Sequence, residues 1–414
     1  VPAPEPAREP LHRRSLIQLI GSSLGILLVL AFAGLFLIMG VSPLLGGTPL
    51  RQADPLPFSA SAACLFFAVL LIPSLIYSWR RLRLGAAYQP VPLNWLPLRY
   101  AIWAWPIVLL LGVGALRVPL LSLTLLPVLH VLAISIPILW MLSLGARRLN
   151  ALSPPGIWAA VAVGILLTPV VIIVIEGFLS VLLGGVIVGL LADSPGFLGG
   201  LRDILAAFTS AAGPDLSTVL IFVERFLLSD NRILGLGIAF IAVLVPIVEE
   251  LLKPLGLLFL GKRNLTPATG FVAGMISGAA FALFESIFQI APGSEWALLA
   301  AGRMGTSAVH IFNSGLVGWA LAMIWRERRL GRGLLLTLLA MAIHGIWNGV
   351  TGLILVATLP RFSDLAWLFG AVIILPIIGL LCTLGLGLIN RKLYKQQREK
   401  LWNSSQILST SSAI

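Results

Sequence analysis

The chain has 414 residues, 58% of them hydrophobic and 11% charged, with a net charge of +12 and a mean hydropathy of +1.02. A soluble domain carries about 25% charged residues, so a water-soluble core could not hide this much apolar surface. Apolar runs long enough to cross a ~30 Å hydrocarbon layer recur along the sequence; they are continuous rather than alternating, which excludes a β-barrel.

The expected fold is all-α, a polytopic transmembrane bundle of about ten spans. Hydropathy predicts them at roughly 15–41, 57–79, 100–118, 121–145, 156–192, 232–260, 265–290, 304–325, 333–357 and 365–390. The first follows a basic start and is too long for the apolar region of a cleavable signal peptide, so it reads as a signal anchor. Cys64 and Cys382 sit inside apolar runs with no disulfide or zinc spacing, and core packing is their reading. In the fourth span, His130 is isolated in LPVLHVLAI and reads as a core histidine. The fifth is too long for one perpendicular helix, so it must tilt, kink near Pro169 or extend beyond the bilayer. Its Glu176 stands alone in PVVIIVIEGFLS and suggests a structural or entrance role.

The segment 193–231 is the longest non-spanning stretch. Its apolar-periodic pieces Phe197–Ala212 and Leu216–Leu228 are expected to be helices at the outer interface. It separates an N-terminal five-span module, 1–192, from a C-terminal five-span catalytic module, 232–392, followed by a basic tail, 393–414. No internal repeat of the kind that marks inverted-repeat transporters is visible.

Of the 28 basic residues, 20 fall on one side of this topology, including Arg80, Arg81, Arg83, Arg147, Arg148, Lys262, Arg263, Arg326 and Arg391. By the positive-inside rule that side is cytoplasmic and holds both termini. The basic excess is therefore a topology signal and not a nucleic-acid patch. The protein is expected in the plasma membrane.

Only four of the sixteen Asp and Glu residues fall within spans: Glu176, Glu249, Glu250 and Glu285. Charge at mid-membrane costs several kcal/mol, so each marks a functional hypothesis. In VEELLKPLG, Lys253 is four residues after Glu249 and three after Glu250, within reach of either. A self-neutralising pair explains one Glu and the Lys but leaves the second carboxylate over. The next span carries Gly270, Gly274, Gly278 and Ala282 at every fourth position, a smooth packing stripe, with Glu285 on nearly the same face. His310 shares a face with Asn313 and Ser314, and His344 with Asn348; Gly345 and Gly349 clear space beside the latter pair. A His and an Asn at that spacing aim two donors at one point, as an oxyanion requires; a hydrogen-bonded core histidine is the plainer alternative at either position. Straight helices place Glu250 and His344 near mid-bilayer, with His310 and Glu285 ~10 Å nearer the outer face. For the groups to meet, a helix must kink or shift.

EELLK (Glu249–Lys253), FxxxE (Phe281–Glu285), HIFNSG (His310–Gly315) and HGIWN (His344–Asn348) together resemble the PrsW family of intramembrane proteases. These are relatives of the CAAX prenyl protease and bacteriocin-processing group. The resemblance covers roughly 232–357. Ser286 departs from it, since the family often has Asn there, and the prenyl-protease group commonly has His where Glu285 stands.

The resemblance implies peptide-bond hydrolysis within the membrane, on membrane-protein or peptide substrates such as single-span regulators, including anti-sigma factors. Hydrolysis needs a base for water; Glu249 is assigned that role, with Glu250 held by Lys253, although the two could exchange. His310 and Glu285 would orient the water or bind a metal, and His344 and Asn348 would stabilise the oxyanion. No cofactor is assigned and the site is read as metal-independent; zinc is the alternative, through Glu249, Glu285, His310 and His344. The competing functions are a proton-coupled transporter and a non-catalytic scaffold or immunity protein. The first five spans offer a transporter only Glu176 and His130 as pathway groups.

Overall fold

The computed structural model describes residues 9–85, 88, 94–95, 97–149, 152–209, 215–258, 265–291, 293–357 and 365–411. Arg8, Lys262 and Arg263, which belong to the charge count above, lie outside them. The described residues are helical throughout their regular structure. Among the described residues, ten helical segments are long and apolar enough to cross a membrane: Arg13–Leu45, Leu56–Leu84, Pro97–Ala115, Leu126–Ala146, Pro154–Leu191, Asn231–Leu257, Pro267–Ile287, Trp296–Trp325, Leu330–Ala357 and Gly370–Glu399. Each corresponds to an expected span, and they are called the first to tenth below.

Burial sorts them into shells. In their most apolar windows the seventh span is 89% buried and the eighth 78%, against 17% for the first. The seventh and eighth are therefore the axis of the bundle, while the first shows Leu27 and Ile38 on its outer face, as a helix facing lipid should.

The glycine stripe explains why those two spans can pair so closely. A Cβ at Gly270 would overlap the Gly318 carbonyl, one at Gly274 the Ser314 carbonyl, and one at Gly278 the His310 carbonyl. Backbone contacts replace side-chain contacts along the whole seam. This holds the His310 turn against the Gly278 turn and so brings it towards Glu285, two turns further along.

The third span opens in 3-10 geometry over Pro97–Ala104, and three more helices depart from a simple span. The fifth runs unbroken through Pro169 for 38 residues, about 57 Å at 1.5 Å per residue; it thus extends beyond a ~30 Å hydrocarbon layer. The last runs Leu365–Ser411, so the basic tail is helical as far as it is described. The sixth span begins at Asn231 with Asp230 as its cap, which accepts from the Arg232 N–H at 2.8 Å. It widens into a π-helical turn at Phe240–Leu244 and then resumes as Val245–Leu252. Lys253 stands at its break, immediately before Pro254.

Between the fifth and sixth spans, the helices Phe197–Thr209 and Leu216–Phe222 meet through Phe197, Phe222 and Phe226. The ring centroids stand 5.0–5.6 Å apart. The expected helix to Ala212 is described as far as Thr209, and residues 210–214 are outside the described set.

Candidate active site

The break in the sixth span turns Lys253 into the centre of the buried charge. Its Nζ lies 2.8 Å from Glu250 Oε1, 2.7 Å from Glu249 Oε2 and 2.6 Å from His310 Nδ1. An ammonium has three donors, and here three acceptors surround it, although the Glu249 contact is an ion pair out of line for a hydrogen bond. Phe281 covers the group, its ring centroid 4.8 Å from Nζ, a cation–π contact. Ser277 donates to the Lys253 carbonyl, which fastens the break to the seventh span.

These contacts fix the imidazole tautomers. His310 Nδ1 accepts from Lys253, so its Nε2–H donates to Glu285 Oε2, at 2.7 Å. Glu285 is held in turn by Arg303, whose guanidinium lies 3.0 Å from Oε1 and whose Nε donates to Ser286 Oγ at 2.9 Å. Ser286, the departure from the family pattern, thus takes part in this clamp. His344 donates from Nδ1 to Glu250 Oε1 at 2.9 Å, which leaves Nε2 facing Glu249 Oε2 across 3.8 Å. The two histidine rings meet edge to face, centroids 4.9 Å apart.

Burial divides the carboxylates. Glu250 is fully buried between Lys253 and His344, whereas the side chain of Glu249 is 9% exposed and that of Glu285 32%. Glu285 and, to a lesser degree, Glu249 are thus the carboxylates of the cluster with exposed surface. Glu176 reaches in from the fifth span, close enough to interact electrostatically with Glu249, Lys253 and Glu285. Its Oε1 is buried with no hydrogen-bond partner among the described residues.

The expected kink is the π-helical turn. Gly345 meets the Ala242 carbonyl and Gly349 the Ala242 Cβ, so the space these glycines clear is filled by that turn. Asn348 Nδ2 donates to the Ile241 carbonyl in the same turn, at 3.1 Å. Its amide thus ties the ninth span to the sixth rather than bonding Glu249 or Glu250. Asn313 and Ser314 are fully buried and their side chains bond none of the described residues. His130 is a satisfied core histidine: Trp296 Nε1 donates to Nδ1 at 3.2 Å, and Nε2 donates to the Ile287 carbonyl at 3.1 Å.

A family described as PrsW family intramembrane metalloprotease matches residues 200–381. Over that segment the chain matches the PrsW family, which supports the assignment made from its motifs. The protein is a multi-pass membrane protease, a hydrolase. No curated protein and no solved structure gives a significant match. The PrsW segment is wider than the sequence motifs, taking in most of the Phe197–Thr209 helix, the Leu216–Phe222 helix and part of the tenth span. That span contributes small residues instead of charge: a Cβ at Gly379 would stand 3.3 Å from Gly305 Cα, and one at Gly385 would press on the Phe312 ring.

The family's description raises the question of a metal. Glu249, Glu250, His310 and His344 each offer a ligand atom, all within 4.8 Å of one another. Two carboxylates and two imidazoles suit zinc in kind. Glu285, expected in that set, is instead engaged with His310 and Arg303, and Glu250 stands in its place. Zinc ligands at 2.0–2.2 Å stand about 3.4 Å apart, and the Lys253 ammonium lies within 2.8 Å of three of these four residues. A cation already occupies the space between them. The residues fit a metal in donor type but not while Lys253 keeps this position.

Arg303 carries no signal in the sequence: hydropathy starts the eighth span at 304, whereas the helix starts at Trp296 and carries Arg303 inside it.

Proposed function

We propose that the protein is an intramembrane endopeptidase that hydrolyses peptide bonds of membrane-protein substrates, with Glu249 as general base and no metal in the reaction. The observation that carries this reading is the charge balance of the cluster. Glu250 and Lys253 neutralise each other, Glu285 pairs with Arg303, and Glu249 is the carboxylate in excess and the more accessible of the adjacent pair. It accepts a proton from water as the water attacks the scissile carbonyl, and passes that proton to the departing amine.

His344 is held by Glu250 through Nδ1 and presents Nε2 to the same space. In its imidazolium form, supported by the Glu250 carboxylate, Nε2–H donates to the developing oxyanion. His310 has both ring nitrogens engaged and acts by position, linking Lys253 to Glu285 and Arg303. Asn348 holds the sixth and ninth spans in register, which fixes His344 relative to Glu249. Glu176 lines the approach. We place both termini in the cytoplasm and the membrane as the plasma membrane, from the distribution of Lys and Arg. The substrates are single-span regulators, anti-sigma factors among them, a reading that rests on the family resemblance.

The test is reconstitution of the purified protein in liposomes with single-span membrane proteins, in water enriched in heavy oxygen. Cleavage with one heavy oxygen in the new C-terminal carboxylate is expected. Proton flux without cleavage would support a transporter instead, and neither activity in a folded protein would support a scaffold.

A further inference from the structure

Away from the Glu–His cluster, a cavity of about 430 Å³ opens between the first, second and fifth spans. Its shape follows from two glycines. Gly25 lets Leu166 press directly on the first helix, so the first and fifth spans touch there, while the position one turn earlier, Gly21, has open space beside it. The first and fifth spans meet again at Gln18, whose Nε2 donates to the Pro155 carbonyl at 3.4 Å, and the cavity passes this contact to reach Arg14, eleven residues and about 16 Å from Gly25 along the helix. The result is a wedge between Leu166 and the basic end.

The wedge is amphipathic along its length. Arg14 and Arg81 stand at its mouth, close enough to repel one another electrostatically, and neither forms an ion pair among the described residues. Below them Gln18 donates to Ser74 Oγ at 3.0 Å and to the Pro155 carbonyl at 3.4 Å, and Ser22 donates to Ser74 Oγ at 2.8 Å. Deeper walls are apolar, with Val163, Leu166 and Leu167 on the fifth span. Two guanidiniums with no ion pair among the described residues, above an apolar slot on a span-forming helix, match one chemistry: a phosphodiester anion carrying acyl chains.

We propose that this wedge is a site for one anionic phospholipid, its phosphate bridged by Arg14 and Arg81 and its upper acyl chain laid against Leu166 and Leu167. Gly256 and Thr269 line the same cavity. The bound lipid therefore touches the sixth span just beyond Lys253 and the seventh span at its start, the two helices that bear Glu249 and Glu285.

The experiment is native mass spectrometry of the purified full chain, challenged with phosphatidylglycerol and phosphatidylcholine of identical acyl chains. One phosphatidylglycerol is expected to be retained with at least tenfold preference, and inorganic phosphate should neither bind nor displace it. Arg14→Gln with Arg81→Gln should cut that retention at least tenfold and leave phosphatidylcholine unchanged. Gly21→Leu fills the wedge with both arginines kept and should do the same. Arg80→Gln with Arg83→Gln, at the same helix end but outside the cavity, should retain lipid as the parent does. Thermal unfolding confirms that each variant is folded. The proposal is overturned by retention that survives both wedge variants, by equal loss in the Arg80/Arg83 variant, or by displacement with phosphate alone.

Discussion

Lys253 Nζ lies 2.6 Å from His310 Nδ1, a contact between groups 57 residues apart that joins the broken sixth span to the eighth. It exists because Pro254 ends the helix at Lys253 and because the glycine seam draws the His310 turn against the seventh span. Through it the Glu249–Glu250 pair and the Glu285–Arg303 pair become one network.

That network assigns Lys253 the part of the resident cation. Lys253→Met should open the space among Glu249, Glu250, His310 and His344 to a divalent ion, raising zinc affinity at least tenfold over the parent. Equilibrium binding monitored with cobalt as a spectroscopic substitute checks this. Loss of the added site in a Lys253→Met, His310→Ala double variant would locate it. Stoichiometric zinc in the parent, unchanged or weakened by Lys253→Met, would contradict the metal-free reading.

The adjacent glutamates should separate by stability. Glu250 is fully buried and serves both Lys253 and His344, so Glu250→Gln should cost about 3 kcal/mol, the scale of breaking a buried pair. Glu249→Gln leaves that pair intact and should cost less. Denaturant unfolding in detergent measures the difference; equal losses would remove the distinction drawn between the two.

How far the sequence could be read follows from what it costs to place each group in lipid. Long apolar runs located all ten spans, because backbone polar groups in hydrocarbon admit almost nothing but helix. Glu249, Glu250, Lys253, Glu285, His310 and His344 stood out because charge and imidazole are expensive there. Arg303 did not stand out, since an arginine in the first turns of a long span looks like a loop residue to a hydropathy window. Asn348 was placed on the His344 face by its spacing, which is right. Its bond to the Ile241 carbonyl depends on a π-helical turn that periodicity does not reveal.

Arg303 acts through Glu285. Arg303→Gln should lower kcat roughly 10- to 100-fold by letting the Glu285–His310 pair drift, with KM little changed. Arg303→Lys, which can keep the ion pair but not the bond to Ser286, should recover part of the loss. A purely structural role would leave kcat untouched in the folded fraction.

The glycine seam should tolerate no methyl group. Gly274→Ala sets a Cβ against the Ser314 carbonyl and 3.2 Å from Gly315 Cα, and should cost about 1–3 kcal/mol as overpacking. Gly177→Ala, with nothing within 4 Å of its Cβ, should be neutral or stabilise by up to about 1 kcal/mol. Thermal unfolding of the two variants side by side is the check.

The proposed mechanism stands on Glu249 as the base of a hydrolytic site. Its most direct test is the rate at which Glu249→Gln cleaves a reconstituted single-span substrate, compared with the parent at equal folded concentration. A loss of at least about 100-fold, within the range of general-base catalysis, with helical content and unfolding temperature retained, is the predicted result. Cleavage at the parent rate by a folded Glu249→Gln protein would contradict it.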